Sequence, residues 1–202
     1  GCEIVGVDIA ALRIKQARAC FAQRNQTGTF IASDIFRLKD LEKHFPLILI
    51  HDVIEHIETK SKFLSGMKSY LSAGGVIFIA FPAWQMPFGG HQQIARGRVV
   101  SHLPFIHLLP RTLYKWILET GGEEEDTIKE LLSIKETKCT IEMFRNLVKQ
   151  TGYQIVDQQL FFINPHYEVK FGLSPRKLGR VLSSVPYLRN FFSTSCFYLL
   201  KM

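Results

Sequence analysis

Long apolar runs are missing from this 202-residue chain. No stretch approaches the ~20 residues that a membrane-spanning helix requires, and no secretory leader is visible. Cysteine is sparse: Cys2, Cys20, Cys139 and Cys196 form no C-x-x-C pair. That argues against a thioredoxin-type motif or a zinc knuckle, and four reduced thiols in a cytoplasmic protein are expected. The seven histidines include no H-E-x-x-H, so spacing gives no reason to expect a metal. Internal repeats, low-complexity tracts and nucleic-acid-binding motifs are absent, and nucleic acid is not an expected partner. An initiator methionine is lacking too. The chain opens Gly1-Cys2-Glu3 and reads at once as a strand, so upstream residues are expected. Acid disappears near the other end: from Val169 onward, Lys170, Arg176, Lys177, Arg180, Arg189 and Lys201 face no Asp or Glu. Such a stretch suits phosphate or anionic lipid, or is simply a solvated basic face.

What is present suits one globular domain with a sizeable core: 47% of residues are hydrophobic, 21% are charged and the net charge is +7. Glu3 to Val7 is short, apolar and β-branched, and it ends at Asp8, as a buried parallel strand would. Ala10 to Arg24 has helical spacing, with Leu12, Ala17, Cys20 and Phe21 as the expected inner face. Thr29 to Ala32, closed by Ser33-Asp34, and Leu47 to Ile50, left at His51-Asp52, are further strands. Lys60 to Leu71 reads as a helix with Phe63, Leu64, Met67, Tyr70 and Leu71 on one side. Ser72 to Gly75 reads as a turn, and Val76 to Phe81 as a strand stopped by Pro82. Thr140 to Thr151 is a helix capped by Thr140, striped by Met143, Phe144, Leu147 and Val148, and ended by Gly152. Tyr153 to Ile163 and Ser193 to Leu200 are strands, and Pro175 to Phe192 between them reads as an amphipathic helix broken at Pro186.

Alternation of strand and helix predicts an α/β fold with a parallel sheet. Ligands in such sheets bind outside the C-terminal strand ends, where Asp8, Asp34, His51-Asp52 and Pro82 fall. Residues 83–138 break the rhythm and are longer than a connection needs. They read as a mostly helical insertion or lid over the strand ends, or as helices packed beside the sheet. The expected organisation is a single domain over 1–202, with this insertion at 83–138 and a helix, strand, helix, strand segment at 139–202.

The words "EIVGVDIA", "IASDI", "LILIHDVIEHI" and "LSAGGVIFIAFP", in that order, resemble the class I S-adenosylmethionine-dependent methyltransferases. The resemblance implies a Rossmann-like sheet of strand order 3-2-1-4-5-7-6, mostly parallel with an antiparallel last strand and helices on both faces. It also implies that the family's first strand and glycine loop are absent from this chain. S-adenosyl-L-methionine is the implied cofactor and S-adenosylhomocysteine the product.

Residue by residue, the family's ribose-binding acid falls on Asp8, which could instead cap the following helix. Ile9 would pack on the adenine. Asp34 would accept from the adenine amino group, or make an ordinary Asx-turn. Ile35 would add an apolar contact and a backbone N–H. His51 and Asp52 fall where the family lines the cofactor near its sulfonium. Glu55 and His56 follow on a short helical turn, with His56 expected to be buried and structural. After "FPAWQMPFGG", His91 is the candidate general base for an oxygen acceptor, with His51 beside the reacting centre; His91 may equally bind substrate or fold a lid. His102 and His107 are expected to pack within the insertion.

The acceptor implied is a small molecule or saccharide, which the basic tail and aromatic insertion would suit if it were lipid-linked, with peripheral membrane contact. Two other readings stay open: a nicotinamide-dependent oxidoreductase, although no Tyr-x-x-x-Lys pair is present, and a non-catalytic interaction module.

Overall fold

A computed structural model describes residues 2–38, 41 and 44–202. They fall into two compact units, 1–44 and 45–202. In the first, strand β1 (Val5–Asp8) pairs in parallel with β2 (Thr29–Ala32), from Val5↔Thr29 to Asp8↔Ala32. Helix α1 (Ala11–Gln23) connects them. Its inner stripe is narrower than the sequence predicts. Ile14 is buried, and Ala17 and Phe21 follow it at helical spacing. Phe21 meets Phe30 edge-on at 4.8 Å. Leu12, 67% exposed, and the exposed Cys20 lie off that stripe, so the expectation for these two fails.

The second unit is a five-stranded sheet of β3 (Phe45–His51), β4 (Leu71–Phe81), β5 (Gln154–Ile163), β6 (Arg176–Lys177) and β7 (Ser195–Lys201), ordered β3-β4-β7-β5-β6. β3 and β4 are parallel. β7 runs antiparallel to both β4 and β5, so β3, β4 and β5 share one direction. Within each unit the order reproduces the one implied by the resemblance: 3-2 in the first, 4-5-7-6 in the second, with β6 added at an edge. The α/β fold class, mostly parallel with an antiparallel last strand, holds.

Burial explains the sheet. Ile77, Ile79 and Ala80 on β4 and Leu200 on β7 are fully buried. Phe81 stacks on Tyr198 at 5.9 Å, and Phe144 closes on Tyr198 at 4.7 Å. Helix α2 (Lys60–Met67) buries Phe63, Leu64 and Met67. Its last turn is a 3-10 turn at Lys68–Tyr70, and Leu71 already belongs to β4 rather than to the helix. Ser72 to Gly75 is not a free turn either. It lies within β4, where Phe45↔Leu71 and Leu47↔Val76 leave a long bulge accommodated by Gly74 at φ +76°.

Residues 83–138 hold helices α3 (Arg98–His102), α4 (Arg111–Thr120) and α5 (Glu125–Thr137). They share a core of their own, including Val100, Ile106, Tyr114, Leu118, Ile128 and Leu131. The buried Glu123 carboxylate accepts from the amides of Arg96 and Gly97, both at 2.9 Å. The segment closes where the Trp84 amide donates to the Cys139 carbonyl at 2.9 Å.

Helix α6 (Ile141–Gln150) follows, with the Thr140 hydroxyl accepting from the Met143 amide at 3.1 Å. Ile141 takes the inner place expected of Met143, which is 43% exposed. Beyond β5 the predicted long amphipathic helix is absent. Helix α7 (His166–Phe171) comes first and ends at Gly172; across Pro175 to Phe192, β6, helix α8 (Arg180–Ser184) and a 3-10 turn at Leu188–Phe192 stand in place of that helix, divided by Gly179 and Pro186. This irregular run is pinned to α6. Buried Asn190 accepts from the Ile141 amide at 2.8 Å, and donates to Glu142 at 2.5 Å and to the Tyr187 carbonyl at 3.1 Å. Arg189 donates to Glu142 at 3.0 Å. Asn190→Ala leaves the Ile141 amide without its partner, and the expected loss of stability is about 1–3 kcal/mol. Urea unfolding checks this; an unchanged midpoint contradicts it.

Candidate functional site

Strand ends position the polar residues. In the first unit the chain leaves β1 at Asp8, whose Oδ1 accepts from the Ala10 amide at 2.7 Å. Its Oδ2 stands 3.9 Å from the Arg13 guanidinium. Ile9 beside it is 77% exposed. Asp34 behaves alike after β2: Oδ1 accepts from the Phe36 amide at 2.9 Å, and Oδ2 lies 3.7 Å from Arg37. The Ser33 amide donates to the Asp8 carbonyl at 3.0 Å, which places Asp8 and Asp34 at one edge of the two-stranded sheet. The Asx-turn foreseen for Asp34 is present; Asp8 makes the same local bond to Ala10, but α1 carries no side-chain cap, so the capping alternative for Asp8 does not hold. Each bond occupies one carboxylate oxygen and orients the other. Ile35 is half-buried.

In the second unit β3 ends at His51, and Asp52 follows in the left-handed region at φ +52°. The Asp52 amide donates to the Ala80 carbonyl at 2.9 Å, holding the strand end against β4. The His51 Nδ1 lies 3.1 Å from Asp52 Oδ2. That hydrogen bond raises the His51 pKa above its ordinary value; burial opposes it, and the charges of Asp52 and Glu55 add to it. The result is an oriented, half-exposed imidazole backed by a carboxylate.

His91 is in a different setting. It belongs to a loop whose glycines permit close backbone approach: a Cβ on Gly89 would stand 2.3 Å from the Trp84 carbonyl, and one on Gly90 2.2 Å from the His107 Cβ. His91 itself is left-handed at φ +56°. Its Nε2 lies 3.7 Å from Glu55 Oε1, and its ring meets that of His56 edge-on at 5.2 Å. Burial lowers its pKa, with the charge of His56 acting the same way and Asp52 opposing. Glu55 is 3% exposed, and burial pushes its carboxyl up to about 8. His56, expected to be buried, is exposed because the 3-10 turn Ile54–His56 turns Ile54 and Glu55 inward instead.

His107 packs in the insertion as expected, buried with Nε2 2.7 Å from the Trp84 carbonyl. Burial pushes its pKa down to about 4. His102 is exposed at the end of α3. Sequence reasoning passed over Tyr167 on α7. Burial raises its phenol pKa, and the charge of Asp52 adds to this.

A family profile described as a methyltransferase domain matches residues 1–130, well over half of the chain. The chain belongs to this methyltransferase-domain family, and its fold is that of the class I S-adenosylmethionine-dependent enzymes. Among curated relatives are the ubiquinone biosynthesis O-methyltransferases of Brucella ovis and Brucella suis. Each is 28% identical over 80 residues, covering 40% of this chain and 32% of the relative. The matched stretch thus spans about a third of those relatives' length.

Solved structures share the fold. An S-adenosylmethionine-dependent methyltransferase of Clostridium acetobutylicum aligns with a TM-score of 0.57 at 12% identity, covering 100% of this chain and 75% of that one. The magnesium protoporphyrin IX methyltransferase of Synechocystis PCC 6803, solved with bound SAH, aligns at 0.53 and 13% identity over 99% and 64%. The plantazolicin methyltransferase BpumL, in complex with a triazolic desmethylPZN analog and SAH, aligns at 0.51 and 15% identity over 98% and 67%.

Proposed function

We propose that this chain transfers a methyl group from S-adenosylmethionine to an oxygen of a small-molecule or saccharide acceptor. The observation that carries the reading is the Asp8–Ile9 corner: a carboxylate fixed through one oxygen, with the other 3.9 Å from the exposed Arg13 guanidinium, beside an exposed apolar side chain. That corner fits a nucleoside. The carboxylate accepts from the ribose hydroxyls, and Ile9 covers the adenine face. Asp34, fixed in the same manner, takes the adenine amino group, with Ile35 as its apolar companion. The family resemblance assigns His51 and Asp52 to the neighbourhood of the sulfonium.

When bound, the cofactor supplies an electrophilic methyl group on its sulfonium. The chain supplies position and a proton acceptor. His51 suits the second task better than His91. Its hydrogen bond to Asp52 orients the ring and favours the imidazolium that forms when a hydroxyl proton is taken up, whereas burial disfavours a charged His91. Oxygen as the methylated atom also agrees with the Brucella relatives, which are O-methyltransferases. Calorimetric titration of the protein with S-adenosylhomocysteine tests the reading, and a folded protein that takes up none sinks it.

The acceptor's linkage to lipid is a narrower proposal. Phe171, Val181 and Tyr187 are exposed in the stretch that also carries Lys170, Arg176, Lys177 and Arg180, a composition suited to an anionic bilayer surface. Sedimentation with phosphatidylglycerol vesicles should pull the protein down at low salt and release it at high salt. Protein that stays in the supernatant at low salt removes this proposal and leaves a freely diffusing acceptor.

A further inference from the structure

We propose that Glu55, His56 and His91 form a binding site for a divalent transition-metal ion of zinc's class. Glu55 sits on the 3-10 turn Ile54–His56 with its side chain buried, yet among the described residues neither carboxylate oxygen has a hydrogen-bond partner in bonding geometry. A buried carboxylate in that condition is costly unless it holds a proton or a cation reaches it. Two imidazoles stand next to it. His91 Nε2 is 3.7 Å from Glu55 Oε1, and the His56 ring lies edge-on to that of His91 with centroids 5.2 Å apart. One potential ligand atom from each of the three residues lies within 4.8 Å of the others.

Ligand atoms bound at about 2.0–2.2 Å from a common ion stand about 3.4 Å apart in a tetrahedron. Small side-chain rotations therefore close the cluster on an ion. The backbone is already set. The Glu55–His56 pair is held by the turn, where the His56 amide donates to the Val53 carbonyl at 3.0 Å. His91 is held by the Gly89-Gly90 loop, where its amide donates to the Phe88 carbonyl at 3.1 Å. The close packing of Gly90 on His107 fixes that loop from the other side.

The donor set selects the ion. Two ring nitrogens and one carboxylate suit zinc and its neighbours, whereas magnesium and calcium prefer oxygen alone. His56 is exposed and His91 partly so, which gives an entry path. Three protein ligands also leave a coordination position open, as in zinc sites that meet a substrate rather than sealed structural ones. Spacing along the chain concealed the set, because Glu55 and His56 are sequence neighbours and His91 arrives from beyond β4.

Cobalt(II) is the probe, since its visible absorption reports a four- or five-coordinate site. The full chain is stripped with chelator, dialysed and titrated with Co²⁺, then challenged with Zn²⁺. The expected result is one equivalent of Co²⁺ bound and displaced by zinc. Glu55→Gln and His91→Ala should each weaken Co²⁺ by about tenfold or more, whereas His166→Ala, a surface histidine outside the cluster, should leave binding unchanged. Circular dichroism verifies each fold. His56→Ala, at an exposed position, repeats the test should Glu55→Gln fail to fold. Folded wild-type protein that takes up no Co²⁺, or folded variants that bind it as tightly as wild type, overturns the proposal. The titration contains neither methyl donor nor acceptor, so its failure is separate from any failure of the methyl-transfer reading.

Discussion

Asp8→Ala should weaken S-adenosylhomocysteine binding by about a hundredfold or more. A hydrogen bond to a charged acceptor contributes about 1.5–3 kcal/mol, and two ribose hydroxyls on one carboxylate reach the range where each ~1.4 kcal/mol is a factor of ten in affinity. The turn bond from the Ala10 amide to Oδ1 is a confounder, because its loss disturbs the start of α1 by itself. Asp8→Asn separates the two roles. Its amide oxygen can still accept from Ala10, but the charge and the second acceptor oxygen are gone. Calorimetry beside thermal melts should find Asp8→Asn nearly as stable as wild type and still poor at binding. If Asp8→Ala binds within threefold of wild type, or if the affinity loss tracks the melting loss across both variants, Asp8 is a turn residue and the ribose assignment falls.

The strand ends were legible in the sequence because burial and chemistry change at the same residue. Val5 to Val7 and Ile48 to Ile50 are apolar runs that stop at Asp8 and His51, and the ladders end at those residues. Helix α6 was legible for a similar reason, a capping Thr140 ahead of a regular apolar stripe. Glycine and proline were the less readable signals. Gly74-Gly75 looks like a turn in one dimension, but the pairing of Phe45 with Leu71 turns it into a bulge inside β4. Gly179 and Pro186 divide Pro175 to Phe192 into pieces too short for helical periodicity to register. α1 shows another limit: its 13 residues carry several apolar side chains, but the two-stranded sheet buries Ile14 alone.

At the site, long-range packing decides what spacing cannot. The sequence shows Glu55 as one more acid on a polar turn; its burial comes from Ile54 and the surrounding core, and its unpartnered oxygens follow from that. The glycines before His91 are visible in the sequence, but only the packing of Gly90 against His107 shows that they aim His91 at Glu55. Tyr167 was hidden because α7 is six residues long and lies in a stretch with no apolar period.

His51→Ala should lower kcat by about a hundredfold to ten-thousandfold, the range typical of a lost general base, while S-adenosylhomocysteine affinity changes far less because Asp8 and Asp34 are untouched. A pH profile gives the sharper reading. The Asp52 hydrogen bond raises the His51 pKa above 6.5, and a base works only when deprotonated. Wild-type activity should therefore climb through a midpoint above about 6.5 and level off once the imidazole is neutral. Asp52→Asn removes both the strong acceptor and the negative charge, so the acid limb should move to lower pH, with a lower plateau because a weaker base remains. The stability linkage runs the other way. With the folded-state pKa raised, protonated His51 favours the folded chain below about pH 6.5, and that contribution fades as pH rises through the folded value; both side chains are half exposed, so the effect on melting should be small. A rate limb that stays in place in Asp52→Asn, or a His51→Ala enzyme with wild-type kcat, would remove His51 as the base and return the role to another group at the end of β3.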